Sequence, residues 1–227
     1  MSNILAVIHT TPVTVEPLKQ LAAELIEGCT VYNVMDDSIL PQLAAANGDL
    51  NAVAERLYAY AVLAERTGAD CILSACSSVG GAVAEMRRRV SIPVVRIDEA
   101  MAERAVRTGR RIGVAATLNT TLQPTLGLLG EKAQEAGRGV ELRPMLAEGA
   151  YKKLMSGDRE GHDAELTEAL MKLAGETDVV VLAQASMARV AASLPEGLRS
   201  RLLSSPRPGM ERVREAMAWR RRGMDAR

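Results

Sequence analysis

The chain repeats itself. The run Asp70-Cys71-Ile72-Leu73-Ser74-Ala75-Cys76-Ser77-Ser78 has a counterpart in Asp178-Val179-Val180-Val181-Leu182-Ala183-Gln184-Ala185-Ser186, each residue 108 positions after its mate. Glu103-Arg104 return as Glu211-Arg212 at the same offset, and Ile4-Leu5-Ala6-Val7 is matched to Ile112-Gly113-Val114-Ala115. Gly48-Asp49 returns as Gly157-Asp158 at 109, a one-residue insertion. A constant offset along most of a half marks a tandem duplication, and a duplicated chain folds as one unit made twice.

Within each half, short β-rich runs alternate with longer helical stretches. Strands are expected at 3–8, 30–34, 70–74 and 92–96, then at 111–116, 139–143, 178–183 and 201–204. They read as continuous apolar runs, the pattern of strands buried on both faces of a parallel sheet. Helices are expected near 14–27, 51–67, 79–90, 98–108, 121–136, 160–175, 186–193 and 209–222. Asp49 and Asp158 serve as N-caps, and Gly28, Gly68 and Gly137 as stop signals. The fold class is therefore α/β: two duplicated, doubly wound parallel-sheet lobes related by a pseudo-twofold, with an active-site cleft between them. Residues 1–97 with the C-terminal helix, 206–227, form one lobe and 98–205 the other. Ala52, Leu57, Val62 and Leu63, with Tyr58 and Tyr60, read as core packing rather than a partner-binding stripe, although the two tyrosines cannot both face inward.

Charge excludes some classes of partner. Lys plus Arg and Asp plus Glu are equal at 28 each, so no global charge draws the chain to nucleic acid or to a membrane surface. Arg87-Arg88-Arg89 and Arg220-Arg221-Arg222 are anion patches or, more simply, solvated helix C-termini. No apolar run approaches the ~20 residues of a membrane span, and the first residues lack a basic leader. Cys29, Cys71 and Cys76 are odd in number and show no metal-ligand spacing; His9 and His162 lie far apart. A reduced, cytoplasmic protein with free thiols and no metal is expected. Neither a GxGxxG run nor a P-loop is present, and Gly80-Gly81 alone is not a phosphate loop.

In open α/β sheets, ligands bind beyond the carboxyl ends of the strands. Those ends carry His9-Thr10-Thr11-Pro12, Cys76-Ser77-Ser78, Thr117-Leu118-Asn119-Thr120-Thr121 and Gln184-Ala185-Ser186. By the repeat, Cys76 pairs with Gln184 and Ser78 with Ser186. A helix N-terminus after Cys76 would lower the thiol's pKa, and Ser77, Ser78 and the nearby glycines can donate to a thiolate or a carboxylate. The alternative is a small buried strand-end residue; Cys71 and Cys29 fit that description better. His9 is either a general base or a hydrogen-bonding wall residue. Thr117, Asn119 and Thr120 are carboxylate donors, or one of them caps a helix. Asp36-Asp37 is best read as a turn or cap.

Four segments in order resemble the aspartate/glutamate/hydantoin racemase superfamily. Ile72 to Gly80, with Cys-Ser-Ser after a third strand, resembles its first catalytic-cysteine motif. Ile112 to Thr117 with Asn119-Thr120-Thr121 resembles its second-half opening. Val180 to Ala188 resembles its second cysteine motif, and Ser204-Ser205-Pro206-Arg207-Pro208-Gly209 its closing turn. The resemblance implies a cofactor-independent isomerase, racemase or cis–trans type, acting on a small carboxylate or amino-acid-like substrate and assembling as a homo-oligomer. It implies Cys76 and Gln184 as the catalytic pair, with His9, Thr10, Ser77, Ser78, Thr117, Asn119, Thr120 and Ser186 around the substrate. One departure stands out. Where two-base racemases carry a second thiol facing the first across the substrate α-carbon, this chain has Gln184, which has no titratable proton near neutral pH. The single-cysteine decarboxylases of the superfamily make a lyase the first rival, and a non-catalytic carboxylate-binding protein the second.

Overall fold

The computed structural model describes residues 3–184 and 187–225. It divides into two compact units, one formed by residues up to Ile97 together with those from Pro206 onward, the other by Asp98–Ser205. In the first unit, β1 (Asn3–His9), β2 (Cys29–Met35), β3 (Cys71–Ser74) and β4 (Val94–Arg96) form a parallel sheet in the order β2-β1-β3-β4. In the second, β5 (Arg111–Ala116), β6 (Glu141–Leu146), β7 (Val179–Leu182) and β8 (Leu202–Leu203) repeat that order as β6-β5-β7-β8. Each is a four-stranded parallel sheet flanked by helices.

Both faces of each sheet are covered, which is why the central strands are apolar throughout. In the first unit one face packs α2 (Ile39–Ala45), α3 (Ala54–Arg66) and α4 (Val83–Arg89) through Leu43, Leu57, Ala61 and Met86. The other face packs α1 (Val15–Leu25) through Leu18 and Ala22, and α11 (Pro206–Asp225) through Met210, Val213 and Met217. In the second unit α5 (Glu99–Thr108) and α6 (Asn119–Glu135) cover one face. The other is covered by α7 (Glu148–Met155), α8 (Arg159–Glu176) and α9 (Ala188–Ala192), with α10 (Glu196–Arg199) before β8. The helix that ends each repeat therefore does not pack on the sheet of its own repeat. Glu103-Arg104 sit in α5 on the second sheet, and their mates Glu211-Arg212 sit in α11 on the first.

The ladders correct the sequence alignment by one residue. Leu5 pairs with Cys71, whereas Ile112 pairs with Val179. The third strands repeat at 108 but the first strands repeat at 107, so Ile112 and not Gly113 is the mate of Leu5. Two carboxylates mark the same register. Asp70 Oδ2 accepts from the Ile4 N–H at 2.9 Å, and Asp178 Oδ2 accepts from the Arg111 N–H at 2.8 Å. At the other end, the Ala75 N–H donates to Ile8 O and the Ala183 N–H to Ala115 O. Cys76 and Gln184 thus hold the same place in their own sheets, and so do Thr10 and Thr117.

Other expectations need correction. β2 and β6 are partly exposed edge strands rather than buried ones, with Tyr32 and Met35 open to solvent and Pro144, Glu141 and Arg143 along β6. α2, α7 and α10 are short helices that the periodicity does not announce. Residues 77–82 form a 3-10 stretch, so α4 starts at Val83. Asp49 caps the 3-10 turn 50–52 by accepting from Asn51 N–H, while Asp158 caps α8 through Gly161 N–H. Gly28, Gly68 and Gly137 all adopt positive φ at their helix ends, as stop signals do.

Asp178 gives a test of the strand anchor. Backbone N–H groups of Arg111 and Arg110, and the Arg111 guanidinium, hold its carboxyl down at about 2. A depressed carboxyl stabilises the fold above its unfolded value, about 3.9, and that contribution disappears as pH falls through about 2. Asp178→Asn should flatten the loss of stability over this window, seen as a smaller acid shift of the denaturant midpoint than in the parent protein.

Candidate active site

One face of the first sheet turns polar at its C-terminal end. Side chains alternate along a strand, so Ile72, Ser74 and Cys76 project to the α2–α4 side together with Ala6 and Ile8. Ile8 neighbours Ser74 and Ser74 neighbours Arg96, so the last row of this face is Ile8-Ser74-Arg96. Thr10 and Cys76 lie just beyond it. Ser74, Thr10 and Arg96 are all buried. Among the described residues, the Ser74 hydroxyl has no hydrogen-bond partner, and the Thr10 hydroxyl has none beyond the Cys76 sulfur. A buried hydroxyl left unsatisfied costs about 1–3 kcal/mol.

Cys76 is only partly exposed, and burial pushes its thiol above the ordinary range. The hydroxyls of Thr10 and Ser78 and the N–H groups of Ser78 and Val79 work in the other direction without overcoming burial. The expected lowering by a helix N-terminus is therefore not found. The segment after Cys76 is a 3-10 stretch whose Ser77, Ser78, Val79 and Gly80 are buried, and dense surroundings outweigh the donors. Cys76 rests as a thiol near neutral pH. Cys71, sealed at the start of β3, is pushed up to about 12 by burial, and Cys29 is also raised by burial. A side chain at Gly80 would run into the Arg96 guanidinium, so the turn after Cys76 closes directly over that cation.

His9 is a wall residue. It is fully buried on the opposite face, with Nδ1 2.8 Å from Thr14 Oγ1 and Nε2 2.9 Å from Asn33 Oδ1. Burial lowers its pKa, so it stays neutral with both ring nitrogens engaged and neither is left for a substrate. Asp36 likewise is structural. Its carboxylate accepts from the Ser38 hydroxyl, from Arg56 and from the Tyr60 hydroxyl, tying the end of β2 to α3.

The second unit holds a different set at the same places. Gln184 Oε1 accepts from the Thr117 N–H at 2.7 Å and the Thr117 hydroxyl at 3.0 Å. Thr117 is thereby committed to Gln184 and neither caps α6 nor remains free as a carboxylate donor; α6 follows Leu118 with no side-chain cap. Asn119 is exposed and Thr120 half-buried in its first turn, and Asn119 Oδ1 accepts from Gln123 at 3.4 Å. Ser186 lies outside the described residues. The mates of Ser74 and Arg96 are Leu182 and Ser204. Sequence reasoning missed Ser74 and Arg96, for which the signal was a hydroxyl and a guanidinium closing otherwise apolar strands. Among the described residues, no group of His, Cys, Asp or Glu could hold a metal ion, and no helix is long and apolar enough to cross a membrane.

The model of the family described as Asp/Glu/Hydantoin racemase matches residues 6–212. The chain belongs to this family. Among solved structures, a putative Asp/Glu racemase from Yersinia pestis matches with TM-score 0.72 at 17% identity, covering 95% of this chain and 99% of that one. An allantoin racemase from Klebsiella pneumoniae matches at 0.63 and 19%, covering 96% and 89%. A glutamate racemase from Francisella tularensis, crystallised with D-glutamate, matches at 0.74 and 12%, covering 97% and 82%. At these identities the likeness establishes the fold. Comparison with curated proteins gives no match. Family membership supports a racemase- or isomerase-type activity.

The raised thiol gives a direct test. Alkylation of Cys76 by iodoacetamide should climb with pH to a midpoint above the ordinary thiol range. Thr10→Val, which removes a donor to the thiolate, should move that midpoint higher still. Cys71 should stay unlabelled until the protein unfolds. A Cys76 midpoint below that of an ordinary thiol would contradict the burial argument.

Proposed function

We propose that the chain is a cofactor-independent isomerase that acts through Cys76 on a small carboxylate or amino-acid-like substrate. The observation that carries this reading is the polar end of the first sheet. There a thiol stands with the buried hydroxyls of Thr10 and Ser74, the donors of Ser78, and the buried Arg96 guanidinium. Such a set suits a carboxylate better than an apolar ligand, because hydroxyl, amide and guanidinium groups all donate to it.

Single-thiol chemistry fits this chain better than two-base racemisation. The amide oxygen of Gln184 is engaged by Thr117, and its nitrogen carries no proton that moves near neutral pH. Cis–trans isomerisation needs one nucleophile. The Cys76 thiol gives its proton to water, the thiolate adds to one alkene carbon, the carboxylate on the neighbouring carbon takes up the displaced electron pair, rotation follows, and the pair returns to expel the thiolate, which recovers its proton from water. The burial that keeps Cys76 protonated favours one second reading, a lyase. In it the thiol delivers its proton to the enediolate left when carbon dioxide departs, and the thiolate is reprotonated from water.

Incubation of small dicarboxylates, amino acids and hydantoins in deuterated water, followed by NMR, separates these readings. Geometric isomers mark the first, deuterium at the α-carbon marks racemisation, and loss of a carboxyl marks the lyase. Cys76→Ser should lower turnover by about a thousandfold or more while circular dichroism and the denaturant midpoint stay close to the parent. Gln184→Cys should introduce or strengthen α-proton exchange. Full activity in Cys76→Ser on a verified substrate would overturn the reading, and binding without turnover of any class tested would assign the chain to the non-catalytic alternative.

A further inference from the structure

The turn after Cys76 lies on a cation. Arg96, 9% exposed at the end of β4, brings Cζ and Nε to 2.3 Å, and Nη2 to 2.6 Å, from the point where a Cβ on Gly80 would stand. No Cβ packs so close to another heavy atom, so only glycine fits against this guanidinium. Gly80 has no positive φ; the guanidinium, not the backbone, calls for glycine there. Its neighbour Gly81 differs, being exposed, and a Cβ on it would meet only Leu50 Cδ2, at 3.3 Å. The second half repeats the turn without the cation. The Val79 N–H donates to Cys76 O at 3.3 Å and the Met187 N–H to Gln184 O at 3.1 Å, so the offset of 108 runs on through the turn. That offset makes Ala188 the mate of Gly80 and Ser204 the mate of Arg96. Where the guanidinium is gone, a Cβ stands in the glycine's place.

We propose that Arg96 is a positioning residue for Cys76: its guanidinium backs Gly80 and so fixes the turn that aims the Ser78 and Val79 N–H groups at the sulfur. The catalytic meaning of this role rests on the reading of Cys76 as the reacting group. Both N–H groups donate toward the sulfur and favour the thiolate, as do the hydroxyls of Thr10 and Ser78. They do so only while residues 77–80 keep their place. The 3-10 stretch that carries them has poor hydrogen-bond geometry of its own, so its shape depends on what it packs against. Arg96 neighbours Ser74 across the sheet, which puts a flat, rigid head between the strand ends and the turn. A charge acting at a distance would need neither the close fit nor the glycine. The fit at Gly80 is what assigns Arg96 a positioning role.

The pH midpoint of Cys76 alkylation by iodoacetamide, read by peptide mass spectrometry on the whole protein, tests this. It needs no substrate, so its outcome is separate from that of the turnover experiments on Cys76→Ser. Gly80→Ala keeps the cation but forces it aside, and should raise the midpoint by about one pH unit. Gly81→Ala makes the same change one residue on and should leave the midpoint at the parent value. Arg96→Met should raise it, and Arg96→Lys should do the same, because lysine keeps the charge without the planar head. In the Arg96→Met background Gly80→Ala should add nothing, since the group it strikes is gone. Circular dichroism and the denaturant midpoint report the fold of each variant. If Gly80→Ala alone does not fold, recovery of the fold on adding Arg96→Met reads the same contact, and failure to recover it counts against the proposal. A parent midpoint in Gly80→Ala or Arg96→Met, a parent midpoint in Arg96→Lys, or additive shifts in the double variant would overturn it.

Discussion

The hydrogen-bonded ladder between β1 and β3 is the constraint on which the rest of the first unit depends. A parallel ladder sends both strand ends out at the same edge, and the side-chain period of two sends Thr10, Ser74 and Cys76 out on the same face. A slip of β3 by one residue would turn Cys76 toward α1 and bring Ala75 or Ser77 into its place. The register is held from both ends of the strand, by the Asp70 carboxylate on the Ile4 N–H and by the Ala75 N–H on Ile8 O. The same two fastenings recur in the second sheet through Asp178 and Ala183.

On sheets of the same strand order, the two halves carry different chemistry. The first keeps Ser74, Cys76 and Arg96 where the second has Leu182, Gln184 and Ser204. Thr117 donates to Gln184 Oε1, whereas among the described residues Ser74 has no partner and Thr10 none beyond the Cys76 sulfur. Closing a hydrogen bond inside the fold stabilises it, and leaving donors open at a site sacrifices some of that stability for binding. The second unit closes its polar end with the Thr117–Gln184 hydrogen bonds, and the polar end of the first is the one proposed above to take a ligand.

Much of this was legible in the sequence because duplication prints every signal twice. The strands, the stop glycines and the equivalence of Cys76 with Gln184 follow from apolar runs, punctuation and offset. The one-residue difference in offset between first and third strands was invisible because Ile4 to Val7 and Ile112 to Ala115 are interchangeable apolar runs; only hydrogen bonds tell their register. Exposed edges at β2 and β6 were misread because Val31, Tyr32 and Val34 look like core residues whether or not a neighbour covers them. The direction of the Cys76 shift depends on how many atoms surround the sulfur, a property no motif encodes. Ser74 and Arg96 escaped because their meaning lies in lateral pairing across strands distant in sequence.

The exchanged helices have a consequence for biosynthesis. A ribosome releases the chain from its N-terminus, and domains fold as they emerge. The second sheet finds both of its flanking layers within one uninterrupted stretch, Asp98–Ser205, and can close as soon as that stretch is out. The first sheet, though made earlier, waits for Met210, Val213 and Met217 of α11 to cover the face where Leu18 and Ala22 already sit. The half that bears the thiol is thus the last to be sealed. A chain interrupted before Pro206 leaves that half with an open apolar face, a mark by which a chaperone or protease can tell an unfinished molecule from a complete one.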